Sequence, residues 1–227
     1  IVPLCGCAPL PPEEQSPAES APVQQLPAED EAVPATLAAY PLTLPWYRNE
    51  GYNPYLTNNA LTLQLADLLF EKPVILAPDG TLEYRVVQAV HAEDTTVTLY
   101  IAGGYFFADG SPVTAQDVAA SLTAARTSQL YRGRFAHVRS VTAGDGTVTV
   151  QLYEPDHLFV WLLDIPVMPV GESSLSTPQA SGRYTYAPDG EALIPNPLHT
   201  GDAPFDRMSA AWTDPAGGAA ELMQIGN

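Results

Sequence analysis

The side chains best suited to nucleophilic, metal or proton-transfer chemistry are two cysteines and four histidines, and their spacing supports little of it. Cys5 and Cys7 form a Cys-x-Cys pair at the start of the sequence. No further cysteine and no nearby histidine completes the four ligands of a structural zinc site. His91, His137, His157 and His199 are scattered, and each is read as a packed or surface residue. Asp156 beside His157 has the composition of a base and its orienter, but sequence neighbours rarely aim at one another and no nucleophile is indicated. The sequence contains no Gly-x-Ser-x-Gly elbow, phosphate loop, His-Glu-x-x-His or dinucleotide fingerprint. The expectation is therefore not an enzyme, with no catalytic, metal or cofactor-binding residue and no cofactor.

Composition narrows the partners. The chain has 227 residues, 46% of them hydrophobic, enough to bury a core. Nine Lys and Arg stand against 26 Asp and Glu, a formal charge of -17. That balance repels phosphate backbones and anionic headgroups, so nucleic acid is not an expected partner. No stretch reaches the roughly 18 apolar residues of a membrane span. With both cysteines at the start, the body is cysteine-free, which fits a cytosolic protein or an exported one without disulfides. The sequence opens at Ile1 without an initiator Met, as if cut from a longer chain.

The first segment suggests a use for Cys7. Leu4-Cys5-Gly6-Cys7 resembles a bacterial lipobox, in which a small residue precedes the cysteine that is lipidated after signal-peptide cleavage. Residues 1–7 then read as a signal-peptide remnant. Residues 8–35 carry seven prolines, from Pro9 to Pro34, and only acidic charges, Glu13, Glu14, Glu19, Glu29, Asp30 and Glu31. This composition cannot bury a core and is expected to stay extended. At ~3.1 Å per residue its reach is roughly 80–90 Å, long enough for a tether between membrane and folded body.

From about residue 36 the pattern becomes globular. Leu37 to Tyr47 is apolar and aromatic, a candidate buried strand. Asn59 is placed to cap a helix over Ala60–Glu71, with Leu61, Leu65, Leu68 and Leu69 on one stripe. Asp79-Gly80 marks a turn. Val97, Leu99 and Ile101 alternate with Thr96, Thr98 and Tyr100, the period of a half-buried strand. Thr114 and Asp117 have the spacing of a near capping box before a helix whose Val118, Leu122 and Ala125 face one way. Val138–Ala143 and Thr147–Leu152 flank Asp145-Gly146 as a hairpin, and Tyr184–Ala187 with Ala192–Ile194 flank Asp189-Gly190 as another. Asp214-Pro215 has the cap-then-first-turn order of a helix start. Irregular alternation of strands and helices implies mixed α/β layers.

The run Phe107-Ala108-Asp109-Gly110-Ser111-Pro112-Val113-Thr114-Ala115-Gln116-Asp117-Val118-Ala119-Ala120-Ser121-Leu122 closely resembles the signature of the family 5 extracellular solute-binding proteins. These are the oligopeptide- and dipeptide-binding proteins of ABC importers. Other segments agree in order. Tyr52-Asn53-Pro54-Tyr55 with the helix ending Leu69-Phe70-Glu71 resembles the family's Asn/Asp-Pro start and its following helix. Ile165-Pro166-Val167-Met168-Pro169 resembles the strand returning to the first lobe. Ser181-Gly182-Arg183-Tyr184 resembles the Gly-Thr-Gly-Pro-Tyr motif, with Arg183 in place of Pro, and Asn196-Pro197 fits the next Asn-Pro. The resemblance covers about residues 40–227.

It implies an α/β fold of the periplasmic-binding-protein type II kind, with mixed sheets and flanking helices. Only the first lobe, residues 36–55 and 164–227, and its inserted subsidiary domain, residues 56–163, would be represented; the second lobe would lie beyond Asn227. The implied function is capture of peptides or similar solutes by lobe closure for ABC permease subunits. The implied place is the extracytoplasmic face of the bacterial cytoplasmic membrane, with a lipid anchor on Cys7 as the contact with the membrane. The alternatives are a nickel complex, an oligosaccharide or a signalling peptide as ligand, a sensory surface lipoprotein that does not transport, or a hydrolase. The 107–122 block is read as structural. Where some peptide binders carry an acidic residue after Asn/Asp-Pro, this chain has Thr57-Asn58-Asn59; an amine-binding carboxylate is not carried over, and only Asn58 and Asn59 stand as ligand-contact candidates.

Overall fold

Two strands far apart in sequence set the frame. In the computed structural model, which describes residues 42–47 and 51–213, β1 (Leu42–Tyr47) runs parallel to the last described strand, paired from Leu42 opposite Met208 to Tyr47 opposite Thr213. Between them the chain forms α1 (Ala60–Leu69), β2 (Val74–Leu76), β3 (Leu82–Tyr84), β4 (Val87–Glu93), β5 (Thr96–Ile101), α2 (Ala115–Thr127), β6 (Val138–Ala143), β7 (Thr147–Leu152), β8 (Tyr184–Tyr186), β9 (Ala192–Pro195) and β10 (Met208–Thr213). The strands make a sheet ordered β1-β10-β9-β8, a two-stranded hairpin β2-β3 and an antiparallel sheet ordered β4-β5-β7-β6. The described residues all fall within one compact unit.

Local signals explain most of these elements. Val97 and Leu99 of β5 and Val148, Val150 and Leu152 of β7 are buried on one face of their sheet, while intervening threonines remain partly exposed. Period-2 alternation gives this sheet an apolar face, and α2, whose Val118, Leu122 and Ala125 are all buried, packs on β6 and β7. Asn59 caps α1 as expected, its Oδ1 accepting the Leu61 N–H at 2.9 Å. The β6–β7 and β8–β9 hairpins form at the expected places.

Four findings differ from the sequence reading. The α1 helix ends at Leu69 rather than Glu71, because the Leu69 carbonyl accepts the N–H groups of Ser181 and Gly182 and Phe70 turns to extended geometry. Its buried stripe is Thr62, Leu65, Ala66 and Leu69, with Leu61 and Leu68 only partly covered. Residues 165–168 are buried and Pro169 is partly so, but the run joins no sheet. Pro166 and Pro169 have no N–H for a ladder, and the neighbouring amides go elsewhere: Val167 to the Glu71 carbonyl, Met168 to the Ser121 hydroxyl and Val170 to Asp117 Oδ1. Finally, β10 was not anticipated from its alanine-rich sequence, and it lies in the interior of its sheet, between β1 and β9. The start of the candidate strand, residues 37–41, and the expected helix after Asp214 lie outside the described residues.

Candidate functional site

The signature segment is structural hardware. Asp117 is buried, and its Oδ2 accepts the Thr114 N–H at 2.8 Å and the Thr114 hydroxyl at 2.6 Å. Its Oδ1 accepts the Val170 N–H at 3.0 Å. One carboxylate therefore closes the capping box and ties the start of α2 to the crossing segment. Upstream, the Asp109 carboxylate accepts both the N–H and the hydroxyl of Ser111, and Gly110 takes φ 92°, a geometry that residues with a Cβ resist. These hydrogen bonds hold the Asp109 carboxyl below its ordinary range.

Open α/β sheets bind ligands outside the carboxyl ends of their parallel strands. Here the described parallel pair is β1 and β10, and the loop from Gly51 to Asn59 follows β1 closely. Asn53, fully buried, donates from Nδ2 to the Ser173 carbonyl at 2.9 Å and the Leu175 carbonyl at 2.7 Å, while Tyr52 N–H donates to the Ser176 carbonyl. A Cβ on Gly51 would lie 2.4 Å from the Ser176 carbonyl oxygen, so the two loops touch through backbone. Beneath them Trp46 meets Tyr52 edge-on at 4.7 Å and Tyr52 meets Tyr186 at 4.9 Å. Burial pushes the Tyr52 and Tyr186 hydroxyls well above their ordinary range. On the solvent side, the same loops leave Leu56, Val170 and Leu175 exposed at 51%, 59% and 48%. A rigid aromatic base with an uncovered apolar rim suits contact with a ligand or a second protein surface. The aromatic base was missed from sequence; its signal was the density of Trp and Tyr on either side of Asn53-Pro54.

Asn58 is exposed on this loop, and Asn59 is only partly so. The Asn59 side-chain oxygen is already used in the α1 cap. The Asp156–His157 pair does not assemble: Asp156 Oδ1 accepts the Leu158 N–H, and Oδ2 lies 3.1 Å from Nε2 of His137 instead. Cys5 and Cys7 lie outside the described residues.

A second cluster surrounds Glu71, which is 5% exposed. Arg85 grips its carboxylate through Nη2 at 3.0 Å and Nε at 3.3 Å. His199 Nε2 stands 2.6 Å from Glu71 Oε1, and His199 Nδ1 accepts the Gly201 N–H at 2.9 Å. With Nδ1 an acceptor, Nε2 carries the proton and donates to Glu71. A cleft of about 330 Å³ opens beside this cluster, lined also by Asp67, Lys72, Asp164 and Arg183. Among the described residues, the Ser181 hydroxyl accepts the Glu71 backbone N–H and donates to the Val167 carbonyl. The cluster thus joins α1, β3's exit and the segment after β9, and it offers no activated nucleophile.

No protein-family model matches the sequence, and no curated protein does. Solved structures match in fold. The oligopeptide-binding protein AppA from Bacillus subtilis, in complex with a nonapeptide, superimposes with a TM-score of 0.64 at 18% identity, covering 82% of this chain and 42% of its own. NikZ from Campylobacter jejuni, in complex with Ni(L-His), gives 0.62 at 19% identity with the same coverages. NikA from Brucella suis, in complex with Fe(III)-EDTA, gives 0.66 at 15% identity, again over 82% and 42%. The chain has the α/β fold of the periplasmic-binding-protein type II class. It shares this fold with AppA, NikZ and NikA, and it spans about two fifths of the length of the structures it matches.

Proposed function

We propose that this chain is part of an extracytoplasmic substrate-binding lipoprotein that captures peptides for an ABC importer. The observation that carries the reading is the fold likeness, over 82% of the chain, to binding proteins that include one solved with a nonapeptide. The uncovered apolar rim of Leu56, Val170 and Leu175 supports it, since such a surface is suited to be covered on closure. In this reading residues 36–55 and 164–227 belong to a first lobe and 56–163 to a subsidiary domain. Binding shifts a hinge equilibrium toward a closed form that the permease subunits recognise. Asn58, exposed beside the rim, is the side chain of the candidate pair left free to meet a ligand.

Most of a small ligand's surface must be covered for tight binding. The 227-residue span is therefore expected to bind weakly, and the full-length natural protein tightly. Calorimetric titration of both with a mixed short-peptide library tests this; saturable tight binding by the 227-residue span, or none by the full-length protein, would overturn it. A nickel complex is the second reading, favoured by the metal complexes held in two of the compared structures, and nickel-histidine belongs in the same titration.

The lipobox reading assigns the anchor to Cys7. Each buried CH₂ contributes ~0.8 kcal/mol, so two or more acyl chains hold a protein at a membrane where one does not. Cys7→Ser in the precursor is expected to release the protein into the medium and Cys5→Ser to leave it bound. Fractionation showing equal release by both would remove the assignment.

A further inference from the structure

Four Asp-Gly pairs punctuate the described chain: Asp79-Gly80, Asp109-Gly110, Asp145-Gly146 and Asp189-Gly190. Such a pair can rearrange, because a following residue without a Cβ lets its amide nitrogen approach the aspartate Cγ. Both reacting groups must be free to do so, and in three of the four pairs neither is. The Asp79 carboxylate accepts the Thr81 N–H and hydroxyl at 2.9 and 2.7 Å, while Gly80 N–H donates to the Ala77 carbonyl at 2.9 Å. Asp109 holds the Ser111 N–H and hydroxyl at 2.8 and 2.7 Å, and Gly110 N–H donates to Phe107. Asp189 holds the Glu191 N–H at 3.0 Å and Arg207 Nη2 at 2.6 Å, and Gly190 N–H donates to Ala187. These contacts also keep the three carboxyls below their ordinary range, so less of the protonated form, whose hydroxyl can leave as water, is present.

Asp145-Gly146 is built differently. Among the described residues neither the Asp145 carboxylate nor the Gly146 N–H has a hydrogen-bond partner. The turn is held by its flanks instead: Gly144 N–H donates to the Thr147 carbonyl at 2.7 Å, and Ile101 N–H donates to the Gly146 carbonyl at 2.9 Å. Residues 144–146 are exposed and face an open depression of about 480 Å³ shared with Ile101, Thr114 and Gln116. Water reaches the site, and the two groups that must meet are tied to nothing else.

We propose that Asp145 is a site of spontaneous isoaspartate formation, from which the turns at Asp79, Asp109 and Asp189 are protected. The Gly146 nitrogen attacks Cγ of Asp145. The new C–N bond forms as the carboxyl hydroxyl and the amide proton leave together as water. Water then adds to either carbonyl of the resulting succinimide and opens it to aspartate or isoaspartate, so the only co-reactant is solvent. Isoaspartate inserts one extra carbon into the main chain at the tip of the β6–β7 hairpin and draws the Gly146 carbonyl away from the Ile101 N–H.

The test incubates the 227-residue chain in heavy-oxygen water at neutral and mildly acid pH, followed by peptide mapping and an isoaspartyl methyltransferase assay. Each passage through the succinimide leaves one heavy oxygen on the residue concerned. Label at Asp145 is expected to exceed that at each of the other three by about tenfold, the factor that one retained hydrogen bond represents. In denaturant all four are expected to label at similar rates, which assigns the difference to folding. Asp145→Glu, with unchanged melting, is expected to remove the methyltransferase signal from that hairpin. Equal labelling of the four pairs in the folded protein, or none at Asp145, would overturn the proposal.

Discussion

At the scale of single residues, Asp117 matters more than the threonine that announces it. Thr114 contributes a hydroxyl to its own capping box, whereas Asp117 serves that box and the Val170 amide of a distant segment. Thr114→Ala is expected to cost ~1 kcal/mol, the usual worth of a cap. Asp117→Ala leaves a partly buried amide without an acceptor as well, and the loss is expected to reach about 2–3 kcal/mol. Urea unfolding of the two variants checks the order. Thr114 bonds only to Asp117, whereas Asp117 also holds the amide of the rim residue Val170, so ligand affinity of the full-length protein is expected to be unchanged by Thr114→Ala. Inversion of the stability order would show that Thr114, not Asp117, is the tie. The same scale applies to Asn59, whose side-chain oxygen is used at a helix terminus, which leaves its amide nitrogen as the group that could meet a ligand.

At the scale of elements, the end of α1 is fixed by something outside α1. Gly182 lies against its last turn so closely that a Cβ there would sit 2.6 Å from the Leu68 carbonyl oxygen and 2.8 Å from the Phe70 nitrogen. All of the nearest atoms are backbone and cannot rotate aside. Gly182→Ala is therefore expected to destabilise by roughly 2 kcal/mol or more through overpacking. It should also loosen the Glu71–Arg85–His199 cluster, whose carboxylate follows directly on that helix. Thermal melting tests the first effect, and the second reads out as faster hydrogen exchange at the Ser181 and Gly182 amides. A wild-type melting temperature for Gly182→Ala would mean that α1 and the 181–182 segment are not in contact.

At the scale of the whole molecule, buried tyrosines tie the layers together and set an alkaline limit. Tyr55 donates to the Pro166 carbonyl and meets Tyr131 at 5.6 Å, and Arg134 stacks over Tyr131 while pairing with Asp164. Burial pushes Tyr131 up to about 12 from an ordinary 10.0, and it raises Tyr52, Tyr55 and Tyr186 well above the ordinary value too. For a group whose folded value is raised, the stabilisation is fully present below the unfolded value and is lost as pH climbs through the folded one. Stability is thus expected to hold to about pH 10 and fall steeply toward pH 12. Phenolate absorbance should rise together with loss of near-ultraviolet circular dichroism. Ionisation of these tyrosines near pH 10, before any unfolding, would show that they are solvated.

Much of this architecture was legible because its signals are local. Turns with Asp-Gly, a cap at Asn59, the alternation of β5 and the stripe of α2 each depend on a few adjacent residues, and each appears where those residues are. The ordered block from Phe107 to Leu122 pointed to the fold for the same reason: it packs a turn, a cap and a helix start into one short run. Tertiary structure decided what depends on distant partners. The alanine-rich β10 is a strand because β1 and β9 flank it and complete its backbone hydrogen bonds, not because of its own propensity. The 165–169 run stays out of any sheet because its prolines lack donors and its Val167 and Met168 amides meet Glu71 and Ser121, while the next amide, of Val170, meets Asp117. The candidate rim exists because Asn53, with the Tyr52 and Gly51 backbone, brings together loops 120 or more residues apart, a closeness that no spacing within either loop could express.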